Sequence, residues 1–240
     1  MFLKSTIALF ITVLFLTDGN AQKYGRVKGS GNVIDKTRTV NSFEKIAVSG
    51  SFDVLLVKGK SEKLDIKIED NLLEYLITEV KDGQLKIKWK KGANISTRKG
   101  VEITVYFNSL NAINLSGSGE IESEEVIKAN SFEMAVSGSG DIDISIESDV
   151  VIASVSGSGD LDLEGKVNSF EAKVSGSGDI SAYGLISENA NLKVSGSGGI
   201  TITVNKVLKA VVVGSGDIEY KGNPEKEDIK VSGSGNVSLH

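Results

Sequence analysis

The segment Ser-Gly-Ser-Gly begins at Ser116, Ser137, Ser156, Ser175, Ser195 and Ser232, with Val213-Gly-Ser-Gly as a variant between the last two. Successive starts lie 21, 19, 19, 20, 18 and 19 residues apart. Seven copies at so even a spacing require a fold that is itself periodic. A diverged copy, Val48-Ser-Gly-Ser-Phe-Asp-Val54, lies upstream, and Gly29-Ser-Gly-Asn-Val33 reads as a further fragment. Fourteen of the 27 glycines are the paired glycines of the seven copies, so most of the glycine excess in this chain belongs to one feature.

The phase of each copy says more than the motif. Phe132, Met134, Val136, Gly138, Gly140, Ile142, Ile144 and Ile146 fall on one side of a period-2 alternation, and Glu133, Ser137, Ser139, Asp141 and Asp143 on the other. Val151 to Leu163, Phe170 to Ile180 and Ile229 to Leu239 repeat the pattern. An inserted residue would exchange the two faces, so extended chain must run through the Gly pair with the glycines inward and the serines and acids outward. Inward glycine leaves room where the chain bends and a facing wall approaches closely. One strand pair per repeat cannot bury its apolar face alone, whereas stacked coils build a continuous core. The expected fold is all-β: a right-handed parallel β-helix, or solenoid, of roughly 19-residue coils. Seven coils at a strand spacing of about 4.8 Å make a rod of about 30 Å.

Residues 53–110 break the repeat. They read as strands at Asp53–Val57, Lys63–Glu69, Gln84–Lys90 and Val101–Phe107, with turns at Lys58-Gly-Lys60 and Asp82-Gly83 and one helical turn at Asn71–Leu76. Leu85, Ile87 and Trp89 alternate with Lys86, Lys88 and Lys90, as in a sheet with one solvated face. This is a β-rich N-terminal insertion, antiparallel in character, between the first coil and the regular stack, and suited to capping that end. Residues 22–110 are thus expected to form an N-terminal β-rich segment containing the first diverged coil, and residues 111–240 the repeat solenoid.

Residues 1–21 read as a signal peptide: Lys4, an apolar stretch from Ile7 to Leu16, and small Gly19 and Ala21 ahead of a cut after Ala21. The apolar stretch is too short to span a bilayer, and no later segment approaches the needed length, so the mature chain is expected to carry no membrane span. The expected location is outside the cytoplasm, in the periplasm or at the cell surface. With no Cys, the chain has no disulfide, no thiol nucleophile and no cysteine-linked lipid. Its only His is His240, which removes triads and His-based general bases. Net charge is -5 and no Lys/Arg cluster meets aromatic residues, so nucleic acid is not an expected partner.

The outward positions after each Gly pair, Glu120, Asp141, Asp160, Asp179, Gly199, Asp217 and Asn236, should form a column at strand spacing. Carboxylates so close repel unless screening, a Lys neighbour or a cation offsets them. Calcium would suit such oxygen ligands, but the period and the missing first Gly differ from calcium-binding nonapeptides, and Gly199 interrupts the column. The reading is a solvated hydroxyl and carboxylate ladder, with no metal, cofactor or catalytic residue assigned. Pairs such as Asp141 with Asp143, Asp160 with Asp162 and Glu120 with Glu122 keep one alternative open, a carbohydrate-active β-helix enzyme using two carboxylates. Their recurrence is what a surface stripe gives. The arginines Arg26, Arg38 and Arg98 all lie outside the regular coils, which disfavours an Arg-based lyase. Ser-Gly-Ser-Gly fits neither a phosphate loop nor a nucleophile elbow.

The combination of Phe43–Val54, Asn71–Leu76, Glu79–Lys88 and the Ser-Gly-Ser-Gly-Asp-Ile copies through Tyr220–Pro224 resembles the head GIN domain family of auto-transporter adhesins, exported bacterial proteins found widely among Bacteroidetes. The resemblance covers roughly residues 40–240. It implies a β-helix-containing fold, self-association and an adhesion role, and it carries no catalytic residues. We expect no auto-transporter barrel within this chain. The function expected is that of an exported, non-catalytic adhesin or binding module at the cell envelope, with a glycan or other cell-surface ligand. The last copy, Val231 to Leu239, lacks an obvious cover, so this edge is expected either to meet another copy in a homo-oligomer or to lie under the Asn223–Asp228 loop.

Overall fold

In the computed structural model, residues 25–240 are described, and the expected signal peptide lies outside them. The described chain is a β-solenoid of about 7 turns with roughly 19-residue coils. Its coils run, for example, through the strand Asp141–Gly157, bend at Ser158, and continue into Leu161–Gly176. Successive coils stack in parallel register: Ile142 lies opposite Leu161, Val151 opposite Phe170 and Gly157 opposite Gly176. The 20- and 18-residue spacings of the motif are absorbed as register shifts between Asp162 and Gly165, between Ala182 and Ile186 and between Ser187 and Asn189, leaving the corners aligned.

The alternation sorts side chains as the sequence requires. Phe132, Met134, Val136, Ile142, Ile144 and Ile146 are buried, while Ser137, Ser139, Asp141 and Asp143 are exposed. Phe132, Val151, Phe170, Ala190 and Leu208 are register partners, so large and small side chains alternate up the stack. That alternation lets one continuous core fill without voids.

The N-terminal segment builds the end of this stack. Lys45–Gly50 and Asp53–Lys58 form the diverged coil and pair in parallel with Ala112–Gly117 and Glu120–Ser123. On their other side they pair, again in parallel, with Gln84–Trp89 and Glu102–Phe107. Only beyond that layer does the sheet turn antiparallel, with Leu76–Lys81 on Gln84–Trp89, Lys63–Glu69 on Glu102–Phe107, and Val33–Thr39 outermost. The insertion therefore stands between the first coil and the next in sequence, but in space it folds past the first coil and covers its far side. Phe52 occupies the position of the second repeat glycine; it is fully buried, with its ring 5.0 Å from that of Trp89. A bulky residue fits there because the cap layer brings the Trp89 ring against it.

Two expectations need correction. Gly29–Val33 is no coil fragment: Gly31 and its neighbours wrap the buried Glu69 carboxylate, and Val33 starts an antiparallel strand on Lys63–Glu69. The segment from Lys226 to Asp228 does not fold over the C-terminal end either. It belongs to the strand Lys226–Gly233, whose Lys226 lies opposite Val207 on the preceding coil.

Candidate functional site

The Ser-Gly-Ser-Gly corner is held coil to coil by backbone. Ser139 N–H donates to the Gly117 carbonyl at 2.8 Å, Ser158 to Gly138 at 2.8 Å and Ser177 to Gly157 at 2.8 Å. A Cβ on Gly138 would overlap the carbonyl of Gly117, and one on Gly140 that of Gly119 while sitting 2.9 Å from Leu115 Cδ2. The neighbour that excludes side chains here is not a facing wall, as expected, but the equivalent glycine of the coil before, held close by these hydrogen bonds.

Beside this corner the acidic column forms. Glu120, Asp141, Ile142 and their partners keep register, and the column extends upstream through Asp53 to Glu102. Its carboxylates serve as acceptors for the next coil. Asp141 Oδ1 accepts the Asp160 N–H at 2.9 Å, Asp160 Oδ1 that of Asp179 at 2.8 Å, Asp179 Oδ1 that of Gly199, and Asp217 Oδ1 that of Asn236 at 2.8 Å. Oriented N–H donors offset the repulsion between stacked carboxylates. At Glu120, burial first, then the charges of Glu122, Asp53 and Asp141, raise the carboxyl above the usual carboxylate range. A second column, Glu122, Asp143 and Asp162, runs alongside. Together they make one wall of the solenoid strongly acidic. Among the described residues, no cluster of three His, Cys, Asp or Glu side chains converges to hold a metal ion.

The opposite corner carries a feature that the serine motif does not announce. Asn130, Asp149, Asn168 and Glu188, with Lys166 and Ile186, line an open groove of about 610 Å³ across successive coils. Asn168 Nδ2 donates to Asp149 Oδ1 at 2.7 Å, and Asn189 Nδ2 donates to the Asn168 carbonyl at 3.2 Å. Ion pairs flank it, Lys128 with Glu147 and Lys206 with Glu188, each at 2.7 Å. The groove thus offers amide, carboxylate and ammonium groups in a row, with the exposed Ile186 as an apolar contact. Its signal was present in the sequence as Asn130, Asp149 and Asn168 at the repeat period.

Two other clusters are internally satisfied. On the cap, Thr37 and Lys63 bond Asp65 while Lys67 pairs with Glu102. Near the other end, the Tyr183 hydroxyl donates to Glu219 at 2.9 Å and Lys221 Nζ sits 4.0 Å from the ring centre. Burial and then the Glu219 hydrogen bond push the Tyr183 phenol up to about 12. The carboxylate pairs Asp141/Asp143 and Asp160/Asp162 stand on the open acidic wall, where the first member of each is already occupied by a backbone amide.

Comparison with known proteins agrees with this architecture. The solved structure of a protein described as a putative adhesin from Bacteroides fragilis superposes with a TM-score of 0.84 at 24% identity, covering 89% of this chain and 100% of that one. A protein described as a putative lipid binding protein from Parabacteroides distasonis gives 0.75 at 29% identity, covering 90% and 100%. A second P. distasonis protein, described as a putative adhesin, gives 0.74 at 26% identity, with 90% and 100% covered. No curated protein matches the sequence. No helix among the described residues is long and apolar enough to cross a membrane. Residues 42–224 match the family described as "Putative auto-transporter adhesin, head GIN domain", and the chain belongs to that family.

Proposed function

We propose that this chain is an exported, non-catalytic adhesin module that binds a glycan or other cell-surface polymer at the bacterial envelope. The observation that carries the reading is the groove lined by Asn130, Asp149, Asn168 and Glu188, which repeats the same polar chemistry along the stack. A polymer with a regular array of hydroxyls can meet donors and acceptors presented at a regular spacing, and several weak contacts held on one rigid scaffold add up. The polar lining suits sugar hydroxyls better than acyl chains, although one structurally similar protein is described as lipid-binding. Export rests on the leader-like residues 1–21, and cleavage after Ala21 would leave a mature chain that begins at Gln22.

A glycan array with the mature chain, run beside a reducing-end assay on the same polysaccharides, tests the proposal. Retention without turnover is expected, and Asn168→Ala should weaken retention at least several-fold with the circular dichroism unchanged. Turnover abolished by Asp162→Asn would instead establish the carbohydrate-active alternative, and retention by lipid vesicles alone would replace glycan with a membrane surface as the ligand. Cell fractionation with an N-terminal sequence of the mature protein checks the location.

A further inference from the structure

We propose that the C-terminal end of the solenoid is an interface with a second copy of this chain, formed by antiparallel pairing of the two Lys226–Gly233 strands around Ile229. This strand pairs in parallel with Gly199–Gly214 on one side, and its other edge has no ladder partner among the described residues. Its inward side chains are correspondingly uncovered. Ile229 is 39% exposed, Val231 45% and Leu239 62%, whereas their register partners Ala210, Val212 and Tyr220 are 0%, 0% and 7% exposed. An unpaired edge that also exposes core residues is a template for another strand.

Charge selects the occupant and the register. A two-fold axis at Ile229 sets Asp228 opposite Lys230 of the partner subunit, and Lys230 opposite the partner's Asp228, so two oppositely charged cross-strand pairs flank an Ile–Ile contact. Within one chain these two side chains already share a face, with Lys230 Nζ 3.6 Å from Asp228 Oδ1. A slip of two residues in either direction puts Asp228 against its own copy or Lys230 against its own copy on the axis. A slip of one residue sets inward against outward side chains. Of these registers only the Ile229-centred one matches the charges and sets Ile229 against its own copy, with the inward Glu227, which accepts from the Tyr220 hydroxyl at 2.9 Å, opposite Val231 of the partner subunit. The same end-to-end contact covers Val237 and Leu239, which lie on the other wall of the same coil.

Symmetry closes the assembly at two. The opposite end of the solenoid carries the antiparallel strand Val33–Thr39 with Asp35, Lys36 and Arg38, and does not repeat the C-terminal edge in direction or charge. Head-to-tail addition would grow an open filament, whereas the isologous contact uses the C-terminal edge of each chain and leaves neither of those two edges free.

Sedimentation equilibrium and cysteine capture on the mature chain test this. The chain has no cysteine of its own, so single cysteines report geometry cleanly. A reversible dimer is expected. Ile229→Cys should be captured as a disulfide-linked dimer, because the two-fold brings position 229 to itself within disulfide reach. Val231→Cys, which faces Glu227 of the partner subunit, should not be. Lys230→Asp should weaken dimerisation at least tenfold, and adding Asp228→Lys should restore it. A strict monomer at high concentration, association that continues beyond two copies, equal capture at both cysteine positions, or dimerisation unchanged by Lys230→Asp would each overturn the proposal.

Discussion

At Gly157 the backbone φ is +132°, and a Cβ would overlap the Gly138 carbonyl that accepts the Ser158 N–H at 2.8 Å. Gly157→Ala therefore adds backbone strain and forces apart two coils joined by a hydrogen bond. Strain alone costs about 1–3 kcal/mol and a weakened hydrogen bond about 1 more, so a loss of about 3 kcal/mol in urea unfolding is expected. Gly199 gives the contrast. It has no positive φ, and a Cβ there meets Asp179 Oδ1 at 3.2 Å and the Asp217 carbonyl at 3.4 Å. Gly199→Asn can supply the acceptor that the acidic column lacks at this level without adding charge, and the same measurement should show it within about 1 kcal/mol of the parent protein. Glu69 is the other residue that carries structure. It is fully buried, and although burial pushes its carboxyl up, the backbone N–H groups of Arg98, Gly31 and Lys99 outweigh that and hold it below the usual carboxylate range. A depressed carboxyl stabilises the fold above its unfolded pKa, and that contribution disappears as pH falls through the folded value. Glu69→Gln should cost about 1–3 kcal/mol at neutral pH, with the difference from the parent shrinking in acid unfolding curves.

At the scale of strands, the coil is a layer whose side chains must complement the layers above and below. Phe170 is fully buried between Val151 and Ala190, its register partners, and neither is large enough to fill the space it leaves. Phe170→Ala should cost about 3–5 kcal/mol. Because each coil touches only its neighbours, the damage should also uncouple the stack, broadening the calorimetric transition as the coils on either side melt separately. The same layering explains what could be read in advance. Period-2 alternation is a local property, so the buried faces of 132–146 and 151–163 followed from spacing alone, as did strands such as Lys63–Glu69. Val33–Thr39 and Leu76–Lys81 carry weak alternation because only one edge or face of each is covered, and their antiparallel partners lie far away in the chain. No local pattern says that Gln84–Trp89 stacks on Lys45–Gly50 in parallel while receiving Leu76–Lys81 in the opposite direction. The acidic column was legible as a set of positions. Its use was not, because a carboxylate that accepts the next coil's amide and one left free for a ligand have the same sequence. Asn130, Asp149 and Asn168 share the repeat period, but only the curvature of the second corner turns them into one groove.

Taken whole, the molecule is a one-dimensional stack with unlike ends. At the N-terminal end the core is closed by Phe52 and Trp89, by the antiparallel strands, and by Arg38, whose guanidinium donates to the carbonyls of Leu73 and Leu76 at 3.2 and 3.0 Å. At the C-terminal end every residue of Lys226–Gly233 is exposed. In such a stack, opening free energy depends on the interfaces each coil shares, so an interior coil is protected by two neighbours and the last by one. Amide hydrogen exchange in dilute solution should therefore be fastest at 226–239, slower by several orders of magnitude across 141–214, and slow again at 84–89 and 102–107 despite their position near the other end. The dependence on concentration separates an intrinsically frayed coil from an edge awaiting its mate. If the end is covered by a second copy, protection of 226–239 rises with protein concentration while that of 141–214 stays fixed, and Ile229→Lys abolishes only the concentration-dependent part. Uniform protection along the stack would mean that the coils unfold as one cooperative unit, and the nearest-neighbour description of this solenoid would fail.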